Sequence, residues 1–388
     1  MMSIKENDSK FIANTYARFP IVLASGKGSL VYDEEGKEYI DLGTGIAVNT
    51  FGVADDEWVD AVSKQAANIA HTSNLYYSAP DVTLAKMLCE KTGMKKVFFS
   101  NSGAEANECA IKVARKYAAE HKGAEYNTII TLKNSFHGRT ITTLSATGQD
   151  VFHSLFTPLT PGFDYAEANN VEDIRAKVAS NKTAAIMIEC VQGEGGVMPL
   201  TQEFVDEISK LAKENDLLII CDEVQCGNGR SGALYAYMNY GLSPDVVTTA
   251  KGLGGGLPIG ATMLSDKVEN IFAPGDNGST FGGNLVCCAG AVSILSRLND
   301  DVFEGVNKRS EYIINSLKDC DGIVSISGMG LMLGIETKKD ANDVIAYCRE
   351  NGVLVIKAKN KVRLLPALNI PFELLERAVN IIKNAVKE

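Results

Sequence analysis

Between about residue 95 and residue 250, the chain repeatedly sets a short run that is apolar on both faces ahead of a helical stretch with one apolar side. The runs are Val97-Phe-Phe99, Thr128-Ile-Ile-Thr-Leu132, Ala184-Ala-Ile-Met-Ile188, Leu217-Leu-Ile-Ile-Cys221 and Val246-Val-Thr248. A strand without a polar face must be covered on both sides, and helices between successive strands supply the cover, so the pattern predicts an α/β domain with a large, mainly parallel sheet in an α/β/α sandwich. The intervening stretches have matching faces. Ala106, Ala110, Val113, Ala114 and Tyr117 recur at three- and four-residue spacing, as do Phe204, Ile208 and Leu211; these stripes read as core.

The ends of the chain have a different character. Residues 28 to 43 alternate and turn as a hairpin, with Ser29-Leu-Val-Tyr32, the turn Asp33-Glu-Glu-Gly36 and Lys37-Glu-Tyr-Ile-Asp-Leu42. After about residue 295 comes an α+β pattern with a strand at Val353-Leu-Val-Ile356, the segment Lys361-Val-Arg-Leu-Leu365 and a helix from Pro371. A chain of 388 residues exceeds one core. The expected division is an N-terminal segment 1–50 that contributes to a small domain, a large domain 51–295 and a small α+β domain 296–388, with a broad shared interface.

Composition excludes several functions. The net charge of −10 opposes binding to nucleic acid, which demands a basic face. No apolar run approaches the roughly 20 residues of a membrane span, and the first ten residues lack the apolar centre of a signal peptide, so a cytoplasmic protein is expected. The nine cysteines form no Cys-x-x-Cys pair and read as reduced thiols. Four histidines without His-x-x-x-His spacing give no metal site.

In a mainly parallel sheet, ligands collect beyond the carboxyl ends of the strands, so residues just past each run are the ones to weigh. Lys251 follows the Val246 run and opens the glycine stretch Gly252-Leu-Gly-Gly-Gly256. Asp222 ends the Leu217 run, one strand-helix-strand unit earlier. Either residue alone reads as readily as a loop lysine or a helix N-cap. Together they supply what a pyridoxal 5'-phosphate enzyme needs, an amine for a Schiff base (covalent aldimine) with the cofactor aldehyde and a carboxylate to keep the pyridine nitrogen protonated.

Four more strand ends carry suitable groups. Ser100-Asn-Ser-Gly-Ala-Glu-Ala-Asn107 opens a helix whose first N–H groups form a phosphate cup at Ser102, Gly103 and Ala104, or else a simple cap. Asn134-Ser-Phe-His-Gly-Arg139 offers Phe136 to stack on a ring and Arg139 to grip a carboxylate, or ordinary packing with a surface ion pair. Glu194 lies in Glu189-Cys-Val-Gln-Gly-Glu-Gly-Gly196, and Ser279 and Thr280 lie in Gly278-Ser-Thr-Phe-Gly-Gly-Asn284; their plain readings are a solvated turn and a tight turn.

These motifs, with Asn14-Thr-Tyr-Ala-Arg-Phe-Pro20, Gly43-Thr-Gly-Ile-Ala-Val-Asn49, His71-Thr-Ser-Asn-Leu-Tyr-Tyr77 and Val362-Arg-Leu-Leu-Pro366, resemble class III (subgroup II) aminotransferases over nearly the whole chain. The resemblance implies a fold type I pyridoxal-phosphate transferase, a homodimer with shared active sites. It implies cofactor contacts from Ser102, Gly103, Ala104, Phe136, the Asp222-Glu223-Val224-Gln225 stretch, Lys251 and, from the partner subunit, Thr280. Lys251 and Asp222 would be catalytic. Tyr16, Arg139, Glu194, Ser279 and Arg363 would meet substrate, the two arginines holding carboxylates and Glu194 switching between them. Cys190 stands where a proline is common, Cys226 and Asn228 alter the stretch after Gln225, Gly52-Val-Ala-Asp-Asp56 lacks a frequent His-Pro, and Leu285 replaces a frequent proline. None of these removes a group the chemistry needs.

The reaction implied is transfer of the terminal amino group of N2-acetyl-L-ornithine to 2-oxoglutarate, giving N-acetyl-L-glutamate 5-semialdehyde and L-glutamate, a step of arginine biosynthesis. Ornithine, succinylornithine and 4-aminobutyrate are alternative donors that the core motifs do not separate. A non-catalytic protein binding a phosphate ligand is the alternative of another class.

Overall fold

The computed structural model describes residues 2–387. Seven strands form the central sheet: β4 (Lys96–Ser100), β5 (Thr128–Leu132), β6 (Phe163–Ala166), β7 (Thr183–Ile188), β10 (Leu218–Asp222), β11 (Val246–Thr249) and β12 (Gly260–Leu264), in the order β4-β12-β11-β10-β7-β5-β6. Side chains alternate between its faces, and both faces are dry. Ala185, Met187, Leu218, Ile220, Val246 and Leu264 pack with Ala110, Val113, Ala114 and Tyr117 of the helix Gly103–His121. The neighbouring residues Ile186, Ile188, Ile219, Cys221, Val247 and Met263 join the opposite core, with Phe204, Ile208 and Leu211 of the helix Gln202–Asn215. The five expected strands are present. β12 and β6 lay outside the sequence expectation. β12 starts on a glycine and inserts antiparallel between β4 and β11, and β6 is an edge strand carrying Asp164 and Tyr165.

A second sheet joins the two ends of the chain. β1 (Leu23–Lys27), β2 (Leu30–Asp33) and β3 (Glu38–Asp41) run antiparallel, and β15 (Val353–Leu354) adds parallel to β3. The run expected as one strand, 353–356, is split. Val355 is buried between sheets, and the chain passes on into β16 (Ile356–Ala358), which pairs with β17 (Lys361–Leu364) in a third sheet with β13 (Ile323–Met329) and β14 (Met332–Thr337). Apolar side chains cannot all face one sheet where two sheets meet, so the strand changes partners there. A two-residue pair, β8 (Val191–Gln192) with β9 (Met198–Pro199), follows β7. One apolar cluster runs from Ile186 and Ile219 through Leu331, Met332 and Leu365 to Ile382. We propose the division 1–50, 51–295 and 296–388 on this pattern of sheets; Met1 and Glu388 lie outside the described residues. Among the described residues no helix is long and apolar enough to cross a membrane.

Candidate active site

The carboxyl ends of β4, β5, β7, β10 and β11 converge on a cavity of 490 Å³ whose wall includes Ala104, Phe136, Glu189, Asp222, Gln225 and Lys251. These residues come from the five strand ends or the segments just after them, Asp222 and Gln225 both from that of β10, as the topology of an open α/β sheet requires.

Lys251 is the second residue beyond β11, after Ala250, and has φ of 44°. A lysine in the left-handed region costs about 1–3 kcal/mol and persists only where its surroundings hold it. Here the short turn Lys251–Leu253 is closed by Gly254 N–H donating to Lys251 O at 3.0 Å, and Thr50 Oγ1 donates to Gly252 O at 2.7 Å. Loss of water holds the Lys251 amine below the usual lysine range, with Glu194 opposing that shift and Arg363 adding to it. An amine so placed keeps more of its nucleophilic neutral form.

Asp222, 3% exposed, is fixed from three directions. Its Oδ2 accepts Asn107 Nδ2 at 2.7 Å and meets His137 Nδ1 at 2.8 Å, while Oδ1 accepts Val224 N–H at 3.0 Å. Asn107 is itself held by Thr248 Oγ1, which donates to its Oδ1 at 2.6 Å. Glu189 accepts Phe136 N–H at 2.8 Å and Gly193 N–H at 3.3 Å; burial pushes its carboxyl up to about 7.

The phosphate cup is the N-terminus of the helix Gly103–His121. Ser102 Oγ caps it by accepting Glu105 N–H at 3.2 Å, and Glu105 reaches back to Asn101 N–H at 2.7 Å. The Ser102 hydroxyl is therefore spent on the cap, which leaves the N–H groups of Gly103 and Ala104 without an intrahelical acceptor. A side chain at Gly103 would strike Val224 at 2.6 Å, so the close approach of the β4 and β10 turns depends on glycine there.

Two arginines stand in opposite states. Arg363, on β17, is buried and bound to Glu194 at 2.7 and 3.3 Å and to Gln225 Oε1 at 2.8 Å. Burial alone would raise the Glu194 carboxyl, but the Arg363 charge and hydrogen bonds outweigh it and hold the group below its usual range. Arg363 and Glu194 join the cavity wall through Gln225, to which Glu194 Oε1 is also bonded at 3.2 Å. Arg139 lies on the wall and is exposed. Among the described residues it has no carboxylate partner, and its guanidinium sits over two aromatic rings, Phe136 at 5.6 Å and Phe152 at 4.1 Å.

Some residues singled out from sequence are elsewhere. The Glu223 carboxylate points into the core and accepts Ala236 and Tyr237 N–H, each at 2.8 Å, so the side chain does not line the cavity. Tyr16 is 71% exposed on the N-terminal segment. Thr280 is exposed and Ser279 is off the cavity wall, although Ser279 Oγ accepts Asn101 Nδ2 at 3.1 Å at the rim of the cup. Sequence reasoning gave no role to Asn107, His137, Glu189 or Phe152. His137 and Glu189 stood within the quoted motifs, and Asn107 falls one helical turn after Gly103, a spacing that turns it to the cavity. Nothing local marks Phe152.

The chain belongs to the class-III aminotransferases, whose family model matches residues 11–386. It is 47% identical to the acetylornithine aminotransferase of Haemophilus ducreyi, over 99% of this chain and 98% of that protein. The crystal structure of N-acetylornithine aminotransferase from Stenotrophomonas maltophilia superposes with a TM-score of 0.84 at 34% identity, covering 96% of this chain and 97% of that one. An ornithine aminotransferase from Toxoplasma gondii, whose structure shows partial occupancy of PLP at the active site, superposes with a TM-score of 0.92 at 31% identity, covering 98% and 92%.

Proposed function

We propose that this protein is a pyridoxal-phosphate enzyme that moves the terminal amino group of N2-acetyl-L-ornithine to 2-oxoglutarate, giving N-acetyl-L-glutamate 5-semialdehyde and L-glutamate. The residues fit the cofactor. The Gly103 and Ala104 N–H groups suit its phosphate, Phe136 its ring face, Asp222 its pyridine nitrogen and Lys251 its aldehyde. When bound, the cofactor supplies an electron sink that lets a C–H bond beside the reacting nitrogen break. Asp222, locked by Asn107, His137 and Val224, holds a proton at the pyridine nitrogen; a fixed charge of this kind is worth about 10²–10³ in rate. Lys251 Nζ, once released, takes the proton from the substrate carbon that bears the nitrogen.

The observation that carries the choice of substrates is the contrast between Arg139, open, and Arg363, latched by Glu194 at 2.7 Å. Acetylornithine presents one carboxylate remote from its reacting amine, which suits Arg139 alone. Glutamate and 2-oxoglutarate present a second, beside the reacting carbon, which calls for Arg363 once Glu194 lets go. The 47% identity to the Haemophilus ducreyi relative named for acetylornithine, against 31% to the ornithine enzyme, supports the same donor.

A homodimer with shared sites is part of the proposal. Leu75, Tyr76, Tyr77 and Phe281 are 58% exposed or more, and Asn74 ties the first of these segments to the Ser279–Gly282 loop, donating to Ser279 O at 3.1 Å and Gly282 O at 2.9 Å. An apolar patch of this kind suits a second copy, whose Thr280 would complete the cup. We assign the enzyme to the cytoplasm. The test is a donor panel of acetylornithine, ornithine, succinylornithine and 4-aminobutyrate with 2-oxoglutarate, compared as kcat/KM. Acetylornithine leading supports the proposal, and another donor ahead of it refutes the assignment. A protein that, after incubation with cofactor and removal of the unbound excess, keeps no yellow colour that borohydride bleaches would favour the non-catalytic alternative.

A further inference from the structure

We infer that Phe152 is a positioning residue for substrate carboxylates, acting through Arg139; the inference rests on the reading of Arg139 given above. In the segment after the helix Ile141–Ala146, Val151 is 75% and Leu155 is 85% exposed, whereas Phe152 between them is half-buried. Its ring lies under the Arg139 guanidinium at 4.1 Å and meets Phe136 edge-on, with centroids 5.8 Å apart and planes at 74°. One aromatic side chain thus bridges the ring that faces the cofactor site and the cation that faces the substrate.

The turn that carries it is pinned at both ends. Phe152 ends the short helical turn Asp150–Phe152. Before it, Gln149 Nε2 donates to Ser135 O at 3.0 Å, next to Phe136. After it, His153 Nε2 lies 3.0 Å from Leu144 O and 2.7 Å from Thr147 O. Both neighbours are carbonyl acceptors, so that nitrogen carries the proton. The segment is therefore tied to the motif holding Phe136 and Arg139, and Phe152 is returned to the arginine.

The consequence is specific to an arginine. A guanidinium stacks through its face and keeps its N–H donors in plane, free for a carboxylate in the two-pronged mode. Arg139 has no carboxylate partner among the described residues, so two aromatic faces do what an ion pair does for Arg363. They limit its rotamers without neutralising its charge, and a carboxylate then binds a cation that is already ordered.

The experiment uses the holoenzyme and two amine donors that differ only in the carboxylate, N2-acetyl-L-ornithine and N-acetyl-1,4-diaminobutane. Phe152→Leu is expected to raise KM for acetylornithine about fivefold, or about 1 kcal/mol at 1.4 kcal/mol per tenfold, while kcat changes less than twofold. The same variant should weaken glutarate, an unreactive dicarboxylate, by a similar factor in an equilibrium titration. Phe152→Tyr should restore both, and kcat/KM for N-acetyl-1,4-diaminobutane should be unchanged. Equal losses on the two donors, or an unaltered glutarate affinity, would overturn the inference. Should Phe152→Leu fail to fold, His153→Ala removes the donor to Leu144 O and Thr147 O, frees the same turn and must give the same donor-selective loss; no selectivity there also overturns it. Arg139→Ala separates the two levels. If it leaves the preference between donors unchanged, the role of Arg139 itself falls; if it abolishes that preference while Phe152→Leu does not, only the role of Phe152 falls.

Discussion

Removing Glu194 tests how one pocket takes two kinds of substrate. Arg363 is 2% exposed, and in Glu194→Ala it would lose the bonds at 2.7 and 3.3 Å, keeping Gln225 Oε1 at 2.8 Å and Lys357 O at 3.3 Å. Stripping one partner from a buried ion pair costs about 3–5 kcal/mol, and the surviving acceptors with Glu194 itself part-exposed put this case near 3 kcal/mol. That cost falls on the free enzyme and is recovered when an α-carboxylate enters. The preference for donors that react at an α-amine, such as glutamate, over acetylornithine should therefore rise by up to about 100-fold, since each 1.4 kcal/mol is a factor of ten. In the reverse experiment, Arg363→Ala should cripple the 2-oxoglutarate half-reaction and largely spare the acetylornithine one, whereas Arg139→Ala damages both. Single-turnover absorbance changes, recorded separately for each half-reaction, measure all three variants. An unchanged donor preference in Glu194→Ala, or equal losses in both halves for Arg363→Ala, would refute the latch.

Mixing Lys251→Ala protein with a Ser279→Ala/Thr280→Ala double variant, each inactive alone, should restore part of the activity in heterodimers; heterodimers that form without recovery exclude shared sites. Because burial holds the Lys251 amine below its ordinary value of 10.5, the neutral form that captures an aldehyde grows in as pH rises through that lowered pKa. The rate of cofactor capture by the apoenzyme should thus level off at a lower pH than for a free lysine, and a rise continuing past about pH 10.5 would contradict this. Glu223 is buried with its carboxyl pushed up to about 7. The folded state therefore binds its proton more tightly than the unfolded chain does, and this contribution to stability falls as pH rises from about 4.5 to about 7. Glu223→Gln should flatten that part of the curve of Tm against pH, and an unaltered slope would show that the group does not titrate there.

The parts of this molecule that can be read from sequence are those where one local rule decides. Thr128–Leu132 and Leu218–Asp222 are visible because a strand covered on both faces lacks a regularly polar side, and Lys251 is visible because a lysine between such a strand and a glycine run has few ordinary uses. What stayed hidden depends on partners far along the chain. Gly260–Leu264 has weak strand character and exists because two neighbours, β4 and β11, offer free edges. The break at Val355 follows from two sheets competing for one segment. Glu223 bears the same carboxyl group as Asp222 one residue earlier, but just past the end of β10 its side chain turns into the core, where Ala236 and Tyr237 claim it. Asn107, His137 and Phe152 act through other side chains, and a sequence shows which residues are present without showing which of them meet.

Everything proposed for this cavity depends on Lys251 being the residue that carries the cofactor. Borohydride reduction of the holoenzyme, followed by proteolysis and mass mapping, tests it directly. The pyridoxyl mass is expected on the peptide containing Lys251, and Lys251→Ala protein should still take up cofactor through the cup but show no transamination. The label on any other lysine, or full activity in Lys251→Ala, would contradict it.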